Sequence, residues 1–96
     1  MNFSIVIPLY NEAENVNQLN LELLQSLQDP KNLNYKFEII YVDDGSTDKT
    51  LEHLSKLKNN INTIILKNNF NLAQSQSILN GIDISNFNNI ILLDGD

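Results

Sequence analysis

The chain contains no cysteine, which excludes a disulfide framework and a thiolate metal site. No apolar run approaches the roughly 18 residues that a membrane-spanning helix needs. The opening MNFSIVIPLYNE has no basic n-region and only a short apolar stretch, so no signal peptide is expected. Positive charge is also scarce: Lys+Arg number 6 against 12 Asp+Glu, a formal net charge of −6. Non-specific binding to nucleic acid or to an anionic membrane surface wants basic patches, and this composition argues against both. Tandem repeats and internal linkers are absent as well.

What remains fits a soluble globular domain, with 42% hydrophobic and 19% charged residues. Its 96 residues are expected to form a single domain spanning 1–96. A chain of that size buries only about 60–65% of its unfolded surface, so modest stability is expected. Asparagine recurs throughout, but the apolar periodicity survives between the asparagines, unlike in a prion-like tract.

Four short apolar runs read as strands: Phe3–Leu9, Phe37–Val42, Thr63–Leu66 and Asn89–Leu93. They are continuous and not alternating, as expected for strands covered on both faces of a parallel sheet. Three helical patterns lie between them. Val16, Leu19, Leu23 and Leu27 form one stripe, which the Asp29–Pro30 pair ends. Asn11 with Glu14 resembles a capping box for that helix. The second pattern runs from Asp48 to Lys58, with Ser46 or Thr47 as N-cap. The third runs from Asn71 to Ile84 and carries Leu72, Ile78, Leu79 and Ile82, although Gly81 costs it about 1 kcal/mol of helix propensity. The order β-α-β-α-β-α-β predicts an α/β fold, a Rossmann-like, doubly wound parallel sheet.

That order directs attention to the residues after each strand, because open α/β sheets bind ligands outside the carboxyl ends of their strands. The clusters are PLYNE, VDDGSTD, KNNFN and DGD, and three of the four are acidic. Crowded carboxylates repel one another, and a hard divalent cation relieves that repulsion while filling its shell with water and phosphate oxygens. Asp94 and Asp96 point to one side of an extended segment, and Gly95 between them lets a ligand approach the backbone. A solvated acidic tail is the plain alternative for this triplet. Asp43 to Asp48 could be only a β-to-α turn, but consecutive carboxylates at a strand end can also accept from a ribose hydroxyl or a base N–H. Tyr10 reads equally as core packing or as a base-stacking ring. Glu12 could simply complement a helix dipole, and His53, remote from these clusters, reads as structural.

Together the segments SIVIPLYNEAENV, FEIIYVDDGSTDKT, NNFNLAQSQSILNGID and NIILLDGD resemble the N-terminal half of family 2 glycosyltransferases of the GT-A fold. The likeness covers essentially the whole chain, in the family's order and spacing. It is closest to the dolichol-phosphate and polyprenyl-phosphate sugar transferase branch. The resemblance implies a nucleotide-sugar donor, a UDP- or GDP-sugar, and inversion at the anomeric carbon. By position, Pro8, Tyr10 and Glu12 would line the nucleotide pocket. Val42 and Asp44 would hold the base, with Asp43 supporting that loop. Asp94, Gly95 and Asp96 would form the DXD motif, the aspartates binding Mg²⁺ or Mn²⁺ with the donor's ribose and diphosphate.

Where the family often has glycine, this chain has Asn71, a residue tolerated at left-handed backbone positions. The acceptor would be a polyprenyl phosphate or a glycan. The acceptor-side half, with its catalytic carboxylate base, is expected beyond Asp96, so the 96 residues alone are expected to be inactive. A cytoplasmic location follows, with the full-length protein at the cytoplasmic face of a membrane. Rival readings are a nucleotidyltransferase, which would want a Gly-rich basic loop after the first strand, and a receiver-like domain, which would want its acidic pair there. A non-catalytic nucleotide-binding or interaction module is the remaining alternative.

Overall fold

The computed structural model describes residues 1–94. The elements are β1 (Asn2–Leu9), α1 (Val16–Leu27), a 3₁₀ turn (Pro30–Asn32), β2 (Lys36–Asp44), α2 (Thr50–Ser55), β3 (Thr63–Asn68), α3 (Gln74–Asp83) and β4 (Asn89–Leu92). All strand pairs are parallel, and the sheet order is β3-β2-β1-β4. The expected Rossmann-like α/β fold is therefore present. Among the described residues no helix is long and apolar enough to cross a membrane.

Side chains alternate between the two faces of each strand, and here both faces are covered. Ile5, Ile7 and Leu9 of β1 join Ile39 and Tyr41 of β2, Val16 and Leu23 of α1 and Leu54 of α2. On the opposite face Val6, Ile40 and Val42 meet Ile82 of α3, with Ile64, Leu66 and Ile90 beside them. Helices α1 and α2 thus cover one face and α3 the other, which explains why the strands read as unbroken apolar runs. A polar chain crosses the first layer: the Tyr41 hydroxyl donates to Asn20 Oδ1 (2.8 Å), and Asn20 Nδ2 donates to Asn59 Oδ1 (2.9 Å). Burial pushes the pKa of that hydroxyl up, so it stays a donor.

Gly81 has a packing reason that outweighs its propensity cost. A Cβ there would stand 2.6 Å from Val6 Cγ1 and 3.1 Å from Val42 Cγ2. Only a bare backbone lets α3 approach β1 and β2 this closely.

Several boundaries differ from the sequence reading. β2 runs through Asp43 and Asp44 because these residues pair with Lys67 and Asn68 of β3. Helix α2 starts at Thr50, with Lys49 at its N-cap, so neither Ser46 nor Thr47 caps it. Helix α3 starts at Gln74, because Ala73 before it has φ 81° and ψ 156°, a backbone state outside any helix. Leu72 therefore lies outside α3, and Leu79 is exposed. The capping-box expectation also fails: α1 begins at Val16 after Asn15, and Glu12 rather than Glu14 accepts from Asn15 Nδ2 (2.7 Å).

Candidate functional site

Strand order reverses between β1 and β4, since β2 and β3 lie on one side of β1 and β4 lies on the other. A crevice at the carboxyl ends is expected there. The Leu93 N–H donates to the Val6 carbonyl (3.1 Å), carrying the β4 chain alongside β1 as far as Asp94. Alternate residues of a central parallel strand address opposite neighbours, so Pro8 is the next to face that side. It has no N–H to leave unpaired, which is why a proline is tolerated in a central strand at this point.

A pocket opens at this position, lined by Pro8, Leu9, Tyr10, Asp44, Asn71, Ala73, Gln74 and Asp94. Four residues singled out from the sequence thus meet: Pro8 and Tyr10 after β1, Asp44 at the end of β2, and Asp94 after β4. Tyr10 is 42% exposed, which excludes the core-packing reading. Asn71 belongs to the KNNFN cluster that follows β3, whereas Ala73 and Gln74 were not foreseen as pocket residues. Their only sequence signal is position, just beyond β3, the one strand-end cluster without acidic residues.

Asp44 is 4% exposed. Its Oδ1 accepts from the Leu72 N–H (2.8 Å) and from Asn68 Nδ2 (3.1 Å). The β3–α3 loop is thereby tied to the end of β2. Gly45 presses against the same loop: its φ is +72°, and a Cβ would come within 2.3 Å of the Phe70 carbonyl carbon. Here glycine is required both by conformation and by space. The left-handed residue of the loop is Ala73, whereas Asn71 is not among the positive-φ residues. Asn71 Oδ1 instead accepts from the Ala73 N–H (3.2 Å).

The remaining sequence-predicted residues sit around the pocket. Asp43 is 1% exposed, and its Oδ1 accepts from the Ser46 N–H (3.3 Å), a bond that steadies the β2–α2 loop. The Val42 side chain is fully buried beneath α3, where it packs helix to sheet and has no surface to offer a base. Glu12 is not among the lining residues, its carboxylate being turned towards Asn15. Gly95 and Asp96 lie outside the described residues. Among the described residues no three His, Cys, Asp or Glu gather into a metal cluster.

Sequence reading missed the residue that joins the two neighbouring loops. Asn11, at φ 53°, accepts through Oδ1 from the N–H groups of Thr47 (2.8 Å) and Asp48 (3.3 Å), while its own N–H donates to Ser46 Oγ (2.9 Å). The Glu12 N–H donates to Thr50 Oγ1 (2.9 Å), and the Ala13 N–H to Asp48 Oδ2 (3.3 Å). The Thr50 hydroxyl, helped by the N–H groups of Thr50 and Ala13, holds the Asp48 carboxyl below its usual pKa against the opposing effect of burial. Much of VDDGSTD is therefore scaffolding for the loop after β1.

The lining residues include two carboxylates, one phenol and two amides, and no Lys, Arg or His among the described residues. Such a pocket, at the strand-order reversal of a doubly wound parallel sheet, lies where open α/β domains bind their ligands. Comparison with known proteins makes this specific: residues 4–96 match the model of glycosyl transferase family 2, and the chain belongs to that family. It is 40% identical to the undecaprenyl-phosphate 4-deoxy-4-formamido-L-arabinose transferase of Photorhabdus laumondii, over 97% of this chain and 28% of that protein. It is 30% identical to the dolichol-phosphate mannosyltransferase of Pyrococcus furiosus, over 100% of this chain and 26% of the other. The chain thus spans little more than a quarter of these relatives. The crystal structure of S. aureus TarS in complex with UDP superposes with a TM-score of 0.82 at 28% identity, covering 100% of this chain and 28% of that one.

Proposed function

We propose that residues 1–96 form the donor-binding unit of a glycosyltransferase that moves a sugar from a nucleotide-sugar to an acceptor. The observation that carries this reading is the meeting of Pro8, Tyr10, Asp44 and Asp94 in one pocket where the strand order reverses. Family membership and the UDP-bound structural neighbour support it. The likeness to an undecaprenyl-phosphate sugar transferase and to a dolichol-phosphate mannosyltransferase supports a polyprenyl phosphate as acceptor. A full-length protein with that acceptor works at the cytoplasmic face of a membrane.

Tyr10 offers an exposed ring on which a base stacks. Asp44 accepts from a base N–H, and Asp43 holds the adjoining turn. In the transfer, the acceptor oxygen bonds to the anomeric carbon as the bond from that carbon to the diphosphate breaks. Negative charge then grows on the departing nucleoside diphosphate. The described pocket presents no cationic side chain to receive it, and its ionisable acids are hard oxygen donors, a set that suits Mg²⁺ or Mn²⁺. Asp94, with Asp96 of the same motif, would hold that ion, which neutralises the leaving diphosphate.

Calorimetric titration of UDP and GDP with Mn²⁺ or Mg²⁺ present tests the proposal. Metal-dependent binding that excess EDTA abolishes, and that Asp94→Ala weakens by about tenfold or more, is expected. Equal affinity in EDTA would remove the metal role of Asp94 and Asp96. No binding of any nucleoside diphosphate would remove the donor site itself.

A further inference from the structure

Asp44 is a carboxylate with one oxygen already occupied. Each carboxylate oxygen offers about two lone-pair sites. On Oδ1 both are taken, one by the Leu72 N–H (2.8 Å) and one by Asn68 Nδ2 (3.1 Å). Neither protein bond uses Oδ2. Asn68 is itself fixed: it is 7% exposed, its Nδ2 also donates to Ser77 Oγ (3.0 Å), and its Oδ1 accepts from Asn80 Nδ2 (3.2 Å). Ser77 is fully buried on α3. Rotating the Asn68 amide would set two acceptors against each other at Asp44 and two donors against each other at Asn80, so its orientation follows from its partners. Asp44 is therefore a pinned acceptor, with its plane and its engaged oxygen set by α3.

A base that reaches Asp44 meets a single available oxygen. Guanine carries two parallel donors, the ring N1–H and the exocyclic N2–H, which together match both oxygens of a carboxylate. Uracil and thymine carry one in-plane donor, N3–H, between two carbonyls. We infer that Asn68, by filling Oδ1 of Asp44, is a specificity-determining residue that favours a pyrimidine-dione nucleotide over a guanine nucleotide. The inference rests on the donor-site reading above. A guanine placed here leaves one N–H unpaired in a partly closed site, and an unmet polar group of that kind weakens binding by roughly tenfold. Asn68 does not contact the base; it acts through Asp44 and is a positioning residue.

The test is a set of calorimetric titrations of UDP, dTDP and GDP into the chain with Mn²⁺, repeated with Asn68→Ala. Binding of UDP or dTDP about tenfold or more tighter than GDP is expected, and the tighter of the two identifies the sugar of the nucleotide. In Asn68→Ala one Oδ1 site is released, so the preference should fall several-fold towards parity, with circular dichroism confirming the fold. A merely structural role would lower all three affinities together and leave their ratio unchanged, which would overturn the assignment of Asn68. GDP binding as tight as UDP in the unsubstituted chain overturns the inference and leaves the donor site standing. Failure of all three nucleotides to bind overturns both.

Discussion

Strand β2 carries three buried carboxylates, and the two on its α3 face, one near each end, are treated differently. Glu38, 1% exposed, sits at the amino end, and Asp44, 4% exposed, at the carboxyl end. Both occupy even positions and so face α3 with Ile40 and Val42. Glu38 is engaged at both oxygens: Oε2 accepts from the Ser4 hydroxyl and the Asn86 N–H (2.7 Å), and Oε1 accepts from Asn86 Nδ2 (2.8 Å). Among the described residues Asp44 is engaged at Oδ1 alone, and it lines a pocket. A buried acid satisfied on both oxygens fixes structure, here the turn between α3 and β4. A buried acid satisfied on one oxygen is held in place with acceptor capacity to spare. Asp43, also buried and engaged through Oδ1, lies outside the pocket, so spare acceptor capacity marks a site only where it meets a cavity.

The sharpest way to break this comparison is to remove each acid in turn. Glu38→Ala strands the Ser4 hydroxyl and the Asn86 donors, and should cost about 3 kcal/mol of stability in urea unfolding, with nucleotide affinity of the folded fraction unchanged. Asp44→Asn should do the reverse, weakening nucleotide binding far more than it lowers the unfolding midpoint. Equal stability losses from both variants would dissolve the distinction.

A smaller effect is expected where α3 touches the strands that bear both acids. Gly81→Ala drives a methyl into Val6 and Val42, and overpacking of this kind costs about 1–3 kcal/mol. A chain whose thermal midpoint is unchanged by that substitution would contradict the close approach of α3.

The pH dependence of stability probes the Glu38 end next. Burial raises the pKa of Glu38, but the hydrogen bonds from the Ser4 hydroxyl and from the side chain and backbone of Asn86 outweigh it, so the folded-state value is lowered. A depressed folded pKa stabilises the fold above the unfolded value of about 4.3, and the stabilisation is lost as pH falls through the folded value. Thermal midpoints should therefore drop below about pH 4, and Glu38→Gln should flatten that part of the profile. The smallest effect is expected at Ala73, whose φ of 81° and ψ of 156° fall in a region essentially reserved for glycine. Ala73→Gly should raise stability by about 1 kcal/mol; a loss on calorimetry would show that the loop does not hold this conformation.

Much of the fold was legible because its signals are local. Four unbroken apolar runs separated by helical stripes define an α/β sheet buried on both faces, and strand ends alone nominated Pro8, Tyr10, Asp44 and Asp94. Boundaries were less legible. Asp43 and Asp44 look like turn residues, yet β3 extends beside them and draws them into β2. Ala73 gives no hint of a left-handed backbone, and Asn71 gives a misleading one. Glu38 did carry a signal, a lone acid inside FEIIYV, but its partners Ser4 and Asn86 lie far away in the chain.

By itself the sequence determined the order of elements, the acidic character of one sheet edge and membership of a glycosyltransferase family. Those properties are written in spacing and residue type. Tertiary structure alone decided which acids are satisfied, which loop Asn11 secures, why Gly81 must be bare and which oxygen of Asp44 is engaged. Each of these depends on atoms brought within bonding distance from distant parts of the chain, a condition that only packing creates.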